Sequence, residues 1–204
     1  YVNYKIMITN ILISINVILF IIMFLVGGNS VITNPSTNLL LQFGASYSEL
    51  VLEYGQVWRL LTSNYLHIGF AHLLFNMWCL YSIGLELEEF MGSFLFFVTY
   101  TLSGIFGSLA SCLYYSSVGQ NVVSAGASGA IFGLAGALLV VTFYIGSKYN
   151  RNQFSYDYSS LIFFIGFNIF YGLSVPGIDN GAHLGGLLFG GVMGLFYAFN
   201  REME

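Results

Sequence analysis

The sequence predicts an all-α membrane protein, a bundle of six transmembrane helices with an apolar first outer loop lying in the membrane interface. Three observations carry this. Of 204 residues, 57% are hydrophobic and 7% are charged, against about a quarter charged in an ordinary soluble domain. The charges fall in a few clusters, leaving Ile6–Glu49, Leu60–Leu85, Phe90–Ser147 and Tyr158–Gly177 nearly or wholly free of them, and a bilayer-spanning helix needs about 20 predominantly apolar residues. The basic residues, finally, sort to one side when six spans are threaded.

The spans fall at Ile6–Val26, Ile68–Leu85, Phe94–Tyr115, Ala127–Gly146, Ser159–Leu173 and Ala182–Phe199, with residues 1–204 forming a single domain. The first is longer than a signal-peptide core and runs into Gly-Gly-Asn-Ser rather than a small-residue cleavage pattern, so it reads as a true span. Gly119-Gln120-Asn121 divides the long uncharged run between the third and fourth spans, and Pro176-Gly177 with Asp179-Asn180 divides the last two. With the N-terminus inside, Lys5, Lys148, Arg151 and Arg201 are cytoplasmic and Arg59 alone is outside, as the excess of Lys and Arg in cytoplasmic loops requires. Both termini are then cytoplasmic. The outer segment Gly27–Tyr65 carries Leu39, Leu40, Leu41, Phe43, Leu50, Val51 and Leu52, which suits a membrane interface better than water.

Composition and spacing exclude several functional classes. A net charge of −4 with basic residues scattered singly leaves no stripe for a nucleic-acid backbone. Cys79 and Cys112 lie in apolar runs without C-x-x-C spacing, as buried thiols do. There is no H-E-x-x-H, and His67 and His72 are five apart rather than four, so no metal or other cofactor is expected and activity is expected to resist chelators.

The chemistry-bearing residues converge on the outer end of this frame. Ser128 sits in Ser124-Ala125-Gly126-Ala127-Ser128-Gly129-Ala130, where a small-residue loop enters an apolar helix. A helix N-terminus there offers free N–H groups and a positive dipole end to an oxyanion. The same residues also read as an ordinary helix-packing sequence. A serine needs a nearby base, and His183 begins a helix whose Gly186, Gly190 and Gly194 repeat every four residues, while Gly129 and Gly133 do the same after Ser128. Such faces let membrane helices approach closely. His72 and Asn76, four apart, share a face of the second span. They read either as donors toward an oxyanion or as partners of each other within the bundle. Asp179, four residues before His183, reads as a triad-type orienting acid or as a helix-start cap.

Over nearly the whole chain these residues resemble the rhomboid intramembrane proteases: Trp58-Arg59 in the first outer loop, His72-x-x-x-Asn76, Gly126-Ala127-Ser128-Gly129, and Ala182-His183-x-x-Gly186-x-x-x-Gly190, in that order. The resemblance implies a catalytic dyad of Ser128 and His183 working through an acyl-enzyme. It also implies an oxyanion hole of Asn76, His72 and the Ser128 N–H, in a water-filled cavity below the outer membrane surface. Its substrates would be single-span membrane proteins that unwind near small or helix-breaking residues, with membrane lipid around them. The fifth span and Ser174–Asn180 would form the movable side of the entrance, and Arg59 and Glu88 would anchor loops at opposite faces. Where relatives often carry an aromatic against the histidine, this chain has Phe132. The setting would be a bacterial plasma membrane.

Two other readings compete. An inactive rhomboid-like protein would bind membrane clients without cutting, which normally goes with loss of the serine or histidine. A small transporter would line a polar path across the bilayer, whereas Leu134–Val141 and Leu187–Phe199 carry no charged side chain.

Overall fold

A computed structural model describes residues 7–148, 158–175 and 177–201. Lys5, Arg151 and Pro176, on which parts of the orientation and loop readings rest, lie outside the described residues. The chain runs through α1 (Ile8–Gly27), α2 (Ser30–Thr33), α3 (Thr37–Phe43), β1 (Ser46–Tyr47), α4 (Ser48–Leu52), α5 (Arg59–Thr62), a 3-10 turn (Ser63–Tyr65), α6 (Phe70–Met91), α7 (Ser93–Ser117), β2 (Val123–Ser124), α8 (Ser128–Lys148), α9 (Tyr158–Ser174) and α10 (Asn180–Arg201).

Among the described residues, helices α1, α6, α7, α8, α9 and α10 overlap the expected segments, with ends shifted by several residues. By length and composition α1, α6, α7 and α10 are each able to cross a membrane, while α8 and α9 are apolar along the shorter stretches Ser128–Tyr144 and Ser159–Ser174. The second segment runs further than hydropathy indicates, to Met91, because its last turn is held by a bonded acid. Glu88 accepts the N–H groups of Ile8 at 2.8 Å and Thr9 at 2.9 Å, with the hydroxyls of Thr9 and Ser93 added. One carboxylate thus ties the start of α1 to the α6–α7 turn.

The core is centred on α8, whose Ala130, Leu134, Ala135, Ala137, Leu138 and Val141 are fully buried. It packs on α10, α7, α6 and α9. Against α10 the contact is backbone on backbone. A Cβ on Gly186 would overlap the carbonyl of Gly129, and one on Gly190 the carbonyl of Gly133, so the four-residue glycine repeat reads out as direct helix contact. The outside of the bundle is apolar: Phe94 is 81% exposed, Leu25 75% and Phe163 71%. A belt of that kind is costly in water and at home in lipid, and the protein is an integral membrane protein.

Between α1 and α6 the chain folds into short helices rather than a plain connector. Arg59, buried beneath it, donates to the carbonyls of Leu41 at 2.8 Å and Ala45 at 2.9 Å and to Gln56 at 2.7 Å, with its guanidinium over the Trp58 ring. Arg59 and Glu88 therefore each anchor a turn through backbone carbonyls or N–H groups together with neighbouring polar side chains. The two-residue strands β1 and β2 pair antiparallel, Ser46 with Ser124 and Tyr47 with Val123, which fastens this segment to the approach to Ser128.

Candidate active site

Ser128 is the first residue of α8. The first intrahelical bond runs from the Ile131 N–H to the Ala127 carbonyl at 3.0 Å, and the N–H groups ahead of it at a helix start have no intrahelical acceptor. The loop before it is fixed twice, by the β1–β2 pairing and by the Gly126 N–H donating to the Ser63 carbonyl at 3.0 Å. Gly126 holds φ 145°, and a Cβ there would lie 3.0 Å from His72 Nε2 and 3.7 Å from Ser128 Oγ. Only glycine allows the loop past the His72 ring. That ring and the Ser128 hydroxyl consequently border one small space.

His183 lies in the first turn of α10, and the glycine contact with α8 brings it across. Its Nε2 is 3.0 Å from Ser128 Oγ, within the range over which an imidazole takes a hydroxyl proton. The ring is stacked on Phe132, centroids 4.2 Å apart and planes 5° from parallel, and Phe132 in turn leans on Phe164 of α9. Phe132 follows Ser128 by one helical turn, so the hydroxyl and the stacking ring share a face.

The second nitrogen, His183 Nδ1, is buried with no hydrogen-bond partner among the described residues. Asp179 does not reach it. Instead the Asp179 carboxylate accepts the Ala182 N–H at 3.0 Å, which is the cap of α10, and the hydroxyls of Ser111 at 2.5 Å and Ser124 at 2.6 Å. Of the two roles open to Asp179, the helix cap is the one the structure shows.

His72 and Asn76 rise from the first turns of α6. The Ile68 N–H donates to His72 Nδ1 at 3.3 Å, so the neutral ring carries its proton on Nε2, the atom facing the space beside Ser128. Asn76, buried, gives one amide hydrogen to the His72 carbonyl at 2.9 Å and keeps the other. The two are thus bonded within α6 through a backbone carbonyl, and each retains a donor. His67, the third histidine, does not line the cavity. It is fully buried behind His72, edge to face at 5.1 Å, and burial, with a smaller contribution from the charge of His72, pushes its pKa down to about 3.

These groups line a cavity of about 620 Å³ walled by α6, the β2–α8 loop, α9 and the start of α10. Ser128, His183, His72 and Asn76 all border it, as do Ser63, Ser108, Ser124 and Asn168. Ser63, Ser108 and Ser124 were not legible as a set, because they come from three separate elements, the 3-10 turn, α7 and β2. Asn168 had a signal, since it is the one side-chain amide in the apolar stretch Ser159–Leu173. Chemically, a hydroxyl with a base at 3.0 Å and a ring donor across the same space is an arrangement for acyl transfer.

A family model described as the Rhomboid domain matches residues 54–199. The chain belongs to the rhomboid family. Among its rhomboid relatives, Rhomboid protease GluP of Bacillus subtilis (strain 168) is 39% identical over 183 residues, 89% of this chain and 33% of that protein. RHOMBOID-like protein 7 of Arabidopsis thaliana is 36% identical over 175 residues, 83% of this chain and 52% of its own length. Inactive RHOMBOID-like protein 8 of Arabidopsis thaliana is 34% identical over 154 residues, 76% of this chain and 42% of its own. The chain spans about a third to a half of the length of these rhomboid relatives.

Proposed function

We propose that this rhomboid chain is an intramembrane serine endopeptidase, with Ser128 as nucleophile and His183 as general base. The observation that carries the reading is the 3.0 Å contact between Ser128 Oγ and His183 Nε2 at the wall of a cavity inside an apolar bundle. Ser128 Oγ attacks the scissile carbonyl carbon and its proton passes to His183 Nε2. The oxygen that becomes negative is met by the Ser128 N–H, His72 Nε2–H and the free Asn76 amide hydrogen. The C–N bond then breaks, with His183 returning the proton to the leaving amine, and an ester to Ser128 remains. A water, deprotonated by His183, attacks the ester carbon; the C–O bond breaks and Oγ recovers its proton.

The substrates are single-span membrane proteins that unwind near small or helix-breaking residues, because a backbone in regular helix keeps its carbonyls bonded. They enter on the side of α9, which packs mainly on α8. The outer segment, with Leu52, Tyr54, Val57 and Trp58 exposed, rests in the membrane interface. The whole of residues 1–204 works as one domain with six spans. Both termini are cytoplasmic, and the membrane is a bacterial plasma membrane.

The test is cleavage of a single-span substrate in liposomes by the wild type, Ser128→Ala and His183→Ala, with a serine-reactive fluorophosphonate in parallel. Loss of cutting and labelling in both folded variants supports the dyad. A folded wild type that neither cuts nor labels across several substrates removes the protease reading and leaves client binding without cleavage.

A further inference from the structure

We propose that Asp179 is a positioning residue for the Ser128–His183 pair, an inference that rests on the protease reading. Its carboxylate joins three separate parts of the molecule. Oδ1 accepts the Ala182 N–H at 3.0 Å, one residue before His183. Oδ2 accepts the Ser124 hydroxyl at 2.6 Å, one residue past the β1–β2 register pair Tyr47–Val123 and four before Ser128. The same oxygen accepts the Ser111 hydroxyl of α7 at 2.5 Å.

A helix cap requires only the first of these bonds. The other two reach the segment that carries the nucleophile and the helix that flanks it. Among the described residues His183 and Ser128 are also related through their own hydrogen bond, the α8–α10 glycine contact below them and the stacking of His183 on Phe132. They are related too through α7, which packs on both helices without bonding to either approach except through Ser111. His183 Nδ1 has no partner among the described residues, so nothing there hydrogen-bonds the far side of the ring to hold it in register with Ser128. One carboxylate bonded to both approaches fixes their separation from above, and misplacement of reacting groups by about 1 Å costs on the order of a hundredfold in rate.

Asp179→Asn separates this role from capping. The amide oxygen still accepts the Ala182 N–H, while the amide nitrogen can only donate to the Ser124 and Ser111 hydroxyls, so both bonds reverse direction and lose the carboxylate charge that strengthens them. Ser124→Ala removes the same link from the other side, and Ser124→Thr keeps the hydroxyl. The experiment measures kcat and KM for a single-span substrate in liposomes, the fluorophosphonate labelling rate, and the thermal midpoint in detergent, for the wild type, these three variants and the Asp179→Asn/Ser124→Ala pair.

The expected result is a loss of about tenfold or more in kcat and labelling rate for Asp179→Asn and Ser124→Ala. KM and the thermal midpoint stay close to wild type, and Ser124→Thr recovers the wild-type rate. The double variant is no slower than the slower single, as two ends of one link require. Asp179→Asn and Ser124→Ala that label and cut at the wild-type rate overturn the proposal and leave the dyad standing. Losses that follow the thermal midpoint and vanish at lower temperature overturn it too, since they report stability alone. A wild type that neither cuts nor labels removes the protease reading and this proposal with it.

Discussion

Adding one methyl group at Gly190 tests whether backbone contact between α8 and α10 sets the distance from Ser128 to His183. A Cβ there would overlap the Gly133 carbonyl and sit 2.5 Å from Gly133 Cα, where ordinary carbon–carbon contact is about 3.5–4.0 Å. Neither partner is the end of a flexible side chain, so the helices themselves must part, by about 1 Å or more. Ser128 and His183 stand at the N-terminal ends of these helices, their side chains 3.0 Å apart, and a separation of that size breaks their hydrogen bond. Gly190→Ala is therefore expected to lower the fluorophosphonate labelling rate and kcat by on the order of a hundredfold. Overpacking should also destabilise the fold by about 1–3 kcal/mol. A methyl group on the neighbouring Gly191 would meet nothing within 4 Å, so Gly191→Ala should match wild type in both assays. Labelling and cleavage are compared well below the thermal midpoint of each variant. A Gly190→Ala protein with the labelling rate and midpoint of Gly191→Ala would refute the reasoning.

Three further outcomes follow from the same geometry. Asn76→Ala is expected to lower kcat by about 10²–10³-fold with KM little changed, because in the proposed mechanism its free amide hydrogen meets only the oxyanion; a KM effect alone would place Asn76 in substrate binding. Phe132→Ala removes the surface on which His183 is stacked, a contact worth about 0.5–1.5 kcal/mol, so labelling should slow roughly two- to tenfold, while Phe132→Tyr keeps the stacking and the rate. His67 bears on acid stability. Its folded-state pKa of about 3 lies below the ordinary value of 6.5, so the unfolded chain binds the extra proton. Its contribution is whole above pH 6.5 and is lost as pH falls toward 3, at about 1.4 kcal/mol per pH unit. Thermal midpoints of His67→Leu, compared with wild type across that window, should show a flatter fall; equal slopes would mean that His67 is not held neutral by burial.

Local chemistry and the bilayer govern the part of the molecule that could be read before any contact between distant residues was known. Unsatisfied backbone groups are costly in lipid, so apolar runs become helices, and the segments near Ile6–Val26 and Phe94–Tyr115 are found as α1 and α7 with ends shifted by a few residues. The glycine repeat after His183 was legible for the same reason, since its meaning depends only on residue size and helical period. Tertiary structure decided what distant residues do to one another. It put His67 behind His72 rather than in the cavity, and it gave Asp179 to Ser111, Ser124 and the α10 cap rather than to the histidine ring. It also fixed the proton of neutral His72 on Nε2 through the Ile68 N–H. Each of these depends on the direction of a contact or hydrogen bond that forms only in the folded chain. Composition and periodicity carry no record of such directions, which are set only when the helices pack.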